Sequence, residues 1–452
     1  MSSPVPDVAA GLRAVCVPLP PGAPIDPVSV AGSSGVLFDA PWLTLAGYGP
    51  ALDIPLPGGL ADGPSVAAAV RRLAGVPCDD RARQPGSGVV AHAALPFGRS
   101  APGRLLVPRL TYGRDAEGRE WATLVGRPGP DGDAEADPER LRAELAARRT
   151  DLPAPGPDAD APGAAPSRAG SSPADYTAAV AAAVRAIAST TLRKVVLSRW
   201  MSLTFAAPPD PATVVRRLQA QEPACTAFSH PVDGGRFLGA SPELLVSRRG
   251  PLVRSHPLAG TVGLTGDDTR DAEALGGLEA SAKDQGEHRL VVEEVAEALG
   301  RRCSVVDVPR TPSLVRLHSV AHLATSIDGT LQATGGTLPS VLELLADLHP
   351  TAAVGGVPRA EALALIAELE PVGRGHWAGP VGWVDGQGDG DFMVGIRSTT
   401  LRHCTATVRA GCGIVAASDP ATELAEAGLK LAPVLEALSP GLVSLLGPDL
   451  TP

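Results

Sequence analysis

Four carboxylates occur in two pairs whose spacing could hold a metal ion. Asp284 and Glu287 lie three residues apart in segment 280–299, and Glu423 and Glu426 three apart near the end of the chain. Residues three or four apart share a helix face, so each segment, if helical, presents two carboxylates together. Two such pairs facing each other would form a hard, all-oxygen site suited to Mg²⁺. Either pair alone reads equally as a solvated helix face. Lys430, four after Glu426, could serve only to stabilise its helix. Lys194 heads the apolar run Val195-Val196-Leu197. Desolvation in a cleft would lower its pKa and make it a base; an edge-strand lysine facing water is the other reading. Glu243, in Ser241-Pro242-Glu243-Leu244, is a candidate acid. An opposed acid and base with separated pKa values suit proton transfers on two sides of a substrate. Arg397, in a strand-like Val394-Gly395-Ile396-Arg397-Ser398, can fork onto a carboxylate. Nearby Gly411 and Gly413 would let the backbone come close to a ligand.

The elements that position these residues are legible in outline. Ser172 and Pro173 form a helix N-cap and first-turn pair, after which Tyr176, Val180, Val184 and Ile187 fall on one helical face. Residues 194–199 and 237–247 read as strands. Residues 280–299 read as a helix closed by Gly300 as its C′ residue. Segment 377–416 alternates strands and glycine turns, and Ser418-Asp419-Pro420 starts a final helix running to about Leu438. In the first third, 36–38, 43–45 and 105–107 are strand-like and 65–73 is helical. Pro138 to Arg149 could be a short helix. The Pro, Ala, Gly, Asp and Ser-rich stretch 151–172 cannot bury enough apolar area to order itself and reads as a flexible linker. Strands and helices mix without a regular βαβ rhythm, which predicts an α+β layered sandwich, not a Rossmann fold.

Composition narrows the function. The chain has 452 residues, 44% of them hydrophobic, which is ample for a large core. The net charge of −10 and the lack of any basic or basic-aromatic block argue against a nucleic-acid partner. An acidic protein that binds an anionic substrate must then supply local positive charge or a metal. The six cysteines are scattered without a C-x-x-C pair, which disfavours zinc and a disulfide framework. No signal peptide and no membrane span are expected, so the chain reads as cytoplasmic.

At this point the motifs converge. The chain resembles the chorismate-utilising enzymes: isochorismate, salicylate, anthranilate and aminodeoxychorismate synthases. The resemblance covers about residues 174–438, in order and without a large gap. It is carried by KVVLSR (194–199), FLGASPELLV (237–246), PLAGT (257–261), KDQGEH (283–288) and HLATS (322–326). It continues through LHPTAAVGGVP (348–358), RGHWAGPVGW (374–383), GIRS (395–398), AGCGIVAASDP (410–420) and ELAEAGLK (423–430). It implies the α+β sandwich of anthranilate synthase component I, with antiparallel sheets and helices packed outside. Residues 1–126 would be the variable N-terminal half of that fold, 127–173 a linker, 174–438 the catalytic region and 439–452 a tail.

The resemblance also implies a site. Chorismate would be the substrate and Mg²⁺ the cofactor, with ligands on Glu287 and Glu426 and with Asp284 and Glu423 assisting directly or through water. Arg397 and Lys430, with backbone around Gly411 and Gly413, match positions that hold carboxylates. Gly260 and Thr261 line the pocket, His322 sits near the ring, and Trp377 stands where relatives carry Tyr or Phe. Family members that add water at C2 carry Lys at the position of Lys194, whereas those that add ammonia usually have Gln there and work with an amidotransferase. Ala259 occupies the position of the nucleophilic Lys of the aminodeoxychorismate branch. The implied activity is therefore that of an isochorismate synthase serving menaquinone or siderophore biosynthesis, with Lys194 as base and Glu243 as acid. It would act as a monomer needing no amidotransferase subunit. Salicylate synthase, an ammonia-using synthase component and a catalytically inactive chorismate binder are the alternatives. Cys412, where a small residue is usual, and Ala427, where Thr is usual, are further departures from the family pattern.

Overall fold

The computed structural model describes residues 11–127, 137–148 and 167–447. It is an α+β molecule in which strands from both halves of the chain join one branched, curled sheet with helices packed against it, and a three-stranded sheet stands apart. Among the described pairings only Arg13–Pro18 with Cys78–Asp80 is parallel. The first 126 residues are stitched into the rest by two antiparallel seams. Val36–Ala40 pairs with Thr226–Val232, and Val90–Ala94 pairs with Pro380–Asp385. No helix among the described residues is long and apolar enough to cross a membrane.

The central ladder joins the strand Lys194–Thr204 to Thr405–Ile414, with Val196 opposite Gly413 and Ser198 opposite Gly411. Side chains alternate across a strand. Val195 and Leu197 therefore enter a core with Tyr176, Val180 and Ile187 of the helix Pro173–Ser189, while Lys194 and Val196 face the other way. Ser172 caps that helix as expected, in a reciprocal capping box with Asp175.

Two helices carry the carboxylates. Ala282–Gly300 buries Glu287, Val291 and Val295 and starts from Ser281, whose hydroxyl accepts from the Asp284 N–H. Pro420–Leu438 starts from Asp419, whose carboxylate accepts from the Ala421 and Thr422 N–H groups. The three-stranded sheet of Leu258–Gly263, Val320–Ala324 and Ser313–Arg316 packs near both.

Several boundaries differ from expectation. The helix expected over 280–299 is Ala282–Gly300; a separate helix, Asp268–Ala280, precedes it, and Ser281 leaves helical geometry to end the first and cap the second. Gly300 is the last helical residue and not a C′ stop; Arg301 caps the end in right-handed geometry. The strand expected at 43–45 runs from Leu43 to Leu56 despite Pro50 and Pro55, and its pairing with Gly103–Asp115 shifts register between Pro50 and Leu52.

Most of the expected linker lies outside the described residues. Its helix Pro138–Ala147 buries Leu141 and Leu145. Its last residues are a strand: Ser167–Gly170 pairs with 201–204, so this part is ordered by backbone hydrogen bonds without burying a side chain. In the expected tail, Leu442 and Leu446 are buried in a short 3₁₀ turn.

Candidate active site

The cavity that gathers the candidate residues lies between the central ladder, the three-stranded sheet and the two carboxylate helices. It measures about 660 Å³ out to its mouth, and Glu243, Gly260, Thr261, Glu287, His322, Trp377, Arg397, Gly411, Gly413 and Lys430 all line it. Asp284, Glu423 and Glu426 are not lining residues, and neither is Lys194. It stands behind Glu287, nearly fully buried, with Nζ 3.0 Å from Glu287 Oε1. Gly413 makes that contact possible, since a Cβ there would collide with Glu287 Oε1 and the Lys194 side chain. The close approach that Gly413 allows is thus between two side chains.

The carboxylates meet lysines. Glu426 accepts from Lys430 at 2.6 Å, and Lys430 also donates to the Gly411 carbonyl at 3.1 Å. Glu423, almost wholly buried, accepts from Lys283 at 2.7 Å. Asp284 is held by the Ser281 hydroxyl, and its Cβ lies against Gly260, where φ is +74° and a side chain would be crowded. Burial and then the neighbouring Glu426 raise the Glu423 pKa. Burial also pushes against ionisation of Glu426, but Lys430 overcomes it and its pKa falls. Carboxylates crowded this closely favour a cation between them. Cys412 Sγ joins Glu423 and Glu426 in a group whose ligand atoms lie within 4.8 Å of one another. The thiol donates to the Glu423 carbonyl, and burial raises its pKa well above the ordinary value. A mainly carboxylate donor set of this kind fits a hard divalent cation.

The opposite wall is built around Arg397. It takes a left-handed φ of +49° between the strands Gly390–Val394 and Ser398–Arg402, a conformation disfavoured for a side chain with Cβ. The guanidinium is buried. Its Nη2 donates to His322 Nε2 at 3.2 Å, and Nη1 has no partner. Because arginine can only donate, His322 Nε2 is the acceptor and Nδ1 carries the proton. Nδ1 lies 3.2 Å from the Gly260 carbonyl and 3.1 Å from Thr261 Oγ1. Burial, with Arg397 and Lys430 nearby, drives the His322 pKa well below its usual value, so the ring is neutral.

Glu243 differs from the other cavity carboxylates. It has no lysine in hydrogen-bond reach among the described residues, and burial pushes its pKa up to about 7 in spite of the fields of Lys194 and Lys430. Near neutrality it therefore carries a proton part of the time, as a general acid requires.

Three further residues shape the site and were missed in the sequence. Lys283 lies inside KDQGEH, but nothing local says that it faces Glu423. Arg374 reaches the Val196 and Val354 carbonyls, both behind lining residues, and stacks over the Trp377 ring at 5.2 Å. Glu370 bridges Arg374 to the Ser198 N–H. Trp377 is buried in the wall with its indole N–H unpartnered.

Residues 99–439 match the family model described as "Chorismate binding enzyme". The salicylate biosynthesis isochorismate synthase of Pseudomonas aeruginosa is 42% identical over 264 residues, 58% of this chain and 54% of that protein. A putative isochorismate synthase, MenF, of Mycobacterium tuberculosis is 44% identical over 258 residues, 55% of this chain and 68% of that one. This chain thus spans little more than half the length of the first of these relatives. The solved structure of the menaquinone-specific isochorismate synthase MenF from Escherichia coli superposes with a TM-score of 0.77. It covers 95% of each chain at 27% identity.

Proposed function

We propose, from the premise that this chain belongs to the chorismate-binding enzyme family, that it is an isochorismate synthase. It would interconvert chorismate and isochorismate by adding water at C2 and releasing the C4 hydroxyl. The observation that carries this reading is a buried carboxyl lining the cavity, Glu243 with its pKa pushed up to about 7, together with a buried lysine, Lys194, directly behind the lining residue Glu287. Water is a poor nucleophile without a base, and hydroxide is a poor leaving group without an acid. Lys194, released from Glu287 and neutral in the closed site, would take the proton from the attacking water, and protonated Glu243 would deliver one to the departing hydroxyl. Arg397, with one guanidinium nitrogen free, would hold a substrate carboxylate from the His322 side. The buried walls exclude bulk water, which strengthens each of these contacts.

Glu287 and Glu426, assisted by Asp284 and Glu423, would hold Mg²⁺. Bound there, the ion would screen the ring carboxylate of the substrate and compete with Lys194 for Glu287. We infer also that the enzyme acts in the cytoplasm as a monomer, without an amidotransferase, and supplies isochorismate for menaquinone or a siderophore.

The test is the purified protein with chorismate and Mg²⁺, the products separated by chromatography. Isochorismate, formed without added ammonia and convertible back to chorismate, is the expected result. Fluorescent salicylate would make it a salicylate synthase, and no turnover would leave a chorismate binder.

A further inference from the structure

Three lysines neutralise the carboxylate cluster, and they are not alike. Lys194 is only 1% exposed and its strand neighbours are core. Lys430 is anchored twice, to Glu426 on its own helix and to the Gly411 carbonyl. Lys283 reaches in from the solvent side, with its side chain 26% exposed, and Glu423 is its one described hydrogen-bond partner. It precedes Glu287 by four residues, one helical turn, on the helix Ala282–Gly300. Its ammonium sits on Glu423, which with Glu426 and Cys412 forms a group whose ligand atoms lie within 4.8 Å of one another. Lys283 alone of the three lysines can withdraw to water without abandoning a second partner.

We propose that Lys283 is a positioning residue that sets the divalent-cation affinity of this cluster, because its ammonium occupies Glu423 and competes with the incoming ion. This rests on the reading above, that the cluster holds a divalent cation. In the cation-free protein Lys283 keeps Glu423 and Glu426 from repelling each other. For Glu423 to assist a divalent cation, directly or through a water, the Lys283 ammonium has to leave. A lysine that only braced Glu423 in place would have the opposite effect, since its loss would weaken cation binding.

The sign of the effect decides between the two. Mn²⁺ binding to the full chain is followed by the loss of the free-ion electron paramagnetic resonance signal, at low ionic strength. Lys283→Met should bind Mn²⁺ roughly tenfold more tightly than wild type, because a positive charge has been removed from beside a dication. Lys283→Arg, which keeps the charge, should stay close to wild type. In a Glu423→Gln background the gain from Lys283→Met should shrink sharply. Unchanged or weaker binding by a folded Lys283→Met protein overturns the proposal. Lys283→Gln, more soluble and equally neutral, gives the same reading should the methionine variant misfold. If wild type itself shows no saturable Mn²⁺ binding, the cation site is gone and the proposal goes with it. If wild type binds but Lys283→Met does not bind more tightly, only the role of Lys283 falls.

Discussion

On one side of the cavity, at its wall or behind it, Glu287, Glu423 and Glu426 are each met by a lysine. On the other, the buried Arg397 guanidinium keeps a nitrogen without a partner. The carboxylate end is electrostatically closed and can act only by exchanging partners. The Arg397 end is open and already oriented, through the Thr261–His322–Arg397 chain and a strained backbone, toward an anion that has yet to arrive. An unpaired buried donor is costly in the free protein, a cost that the substrate carboxylate proposed to bind there would recover. On the function proposed above, catalysis and cation binding would belong to the end that exchanges partners, and recognition to the Arg397 end.

The largest effects should come from breaking the closed end. Glu287→Gln and Glu426→Gln should each reduce turnover below detection, and EDTA should inhibit wild type reversibly. Full activity after exhaustive chelation would remove the metal from the scheme. Lys194→Ala and Glu243→Gln come next, with kcat falling by about 10²–10⁴-fold in both directions of the isomerisation. Chorismate binding, measured by calorimetry, should be largely kept. The open end should respond in KM. Losing a charge-assisted hydrogen bond of about 1.5–3 kcal/mol predicts a rise of roughly 10–100-fold in Arg397→Ala, with a smaller change in kcat. A fall in kcat at constant KM would erase the division between the two ends.

The smallest effect is one of stability. The folded pKa of Glu243 is raised by burial to about 7 from an ordinary value of 4.5. Its contribution to stability is therefore fully present below about 4.5 and is lost as pH rises through 7. Glu243→Gln abolishes this titration. Its melting temperature should approach that of wild type near pH 5 and exceed it above pH 7, by an amount worth up to roughly 3 kcal/mol. An equal melting difference at both pH values would mean that Glu243 does not titrate in this range.

What the sequence revealed and what it hid divide along the same line as local and long-range physics. Asp284 and Glu287, or Glu423 and Glu426, can be placed on a helix face from spacing alone, and Ser172 and Asp419 announce their helices by capping chemistry. The Lys194–Glu287 contact was not legible. It requires Gly413, on a third segment, to leave room for both side chains. Lys283 was invisible for the same reason, because its partner lies on the other helix. The helix Asp268–Ala280 escaped notice because it buries only Asp271 and Leu278 and so shows no apolar stripe. Trp377, read as a departure from family pattern, is held by the stacked Arg374, a contact made by the fold of the 370–377 loop and not by any periodicity.

The central ladder also bears on how the chain is made. The strand Lys194–Thr204 leaves the ribosome well before its partner Thr405–Ile414 has been synthesised. In the interval its apolar stretch Val195-Val196-Leu197 waits with an unpaired edge, the condition under which nascent chains stick to one another. Arg193 and Lys194 stand on one side of that stretch and Arg199 close on the other, where charges act as gatekeepers against premature association. Lys194, proposed above as the base, would by this argument also protect the same strand during its synthesis, and a neutral residue at 194 should cost soluble yield as well as turnover.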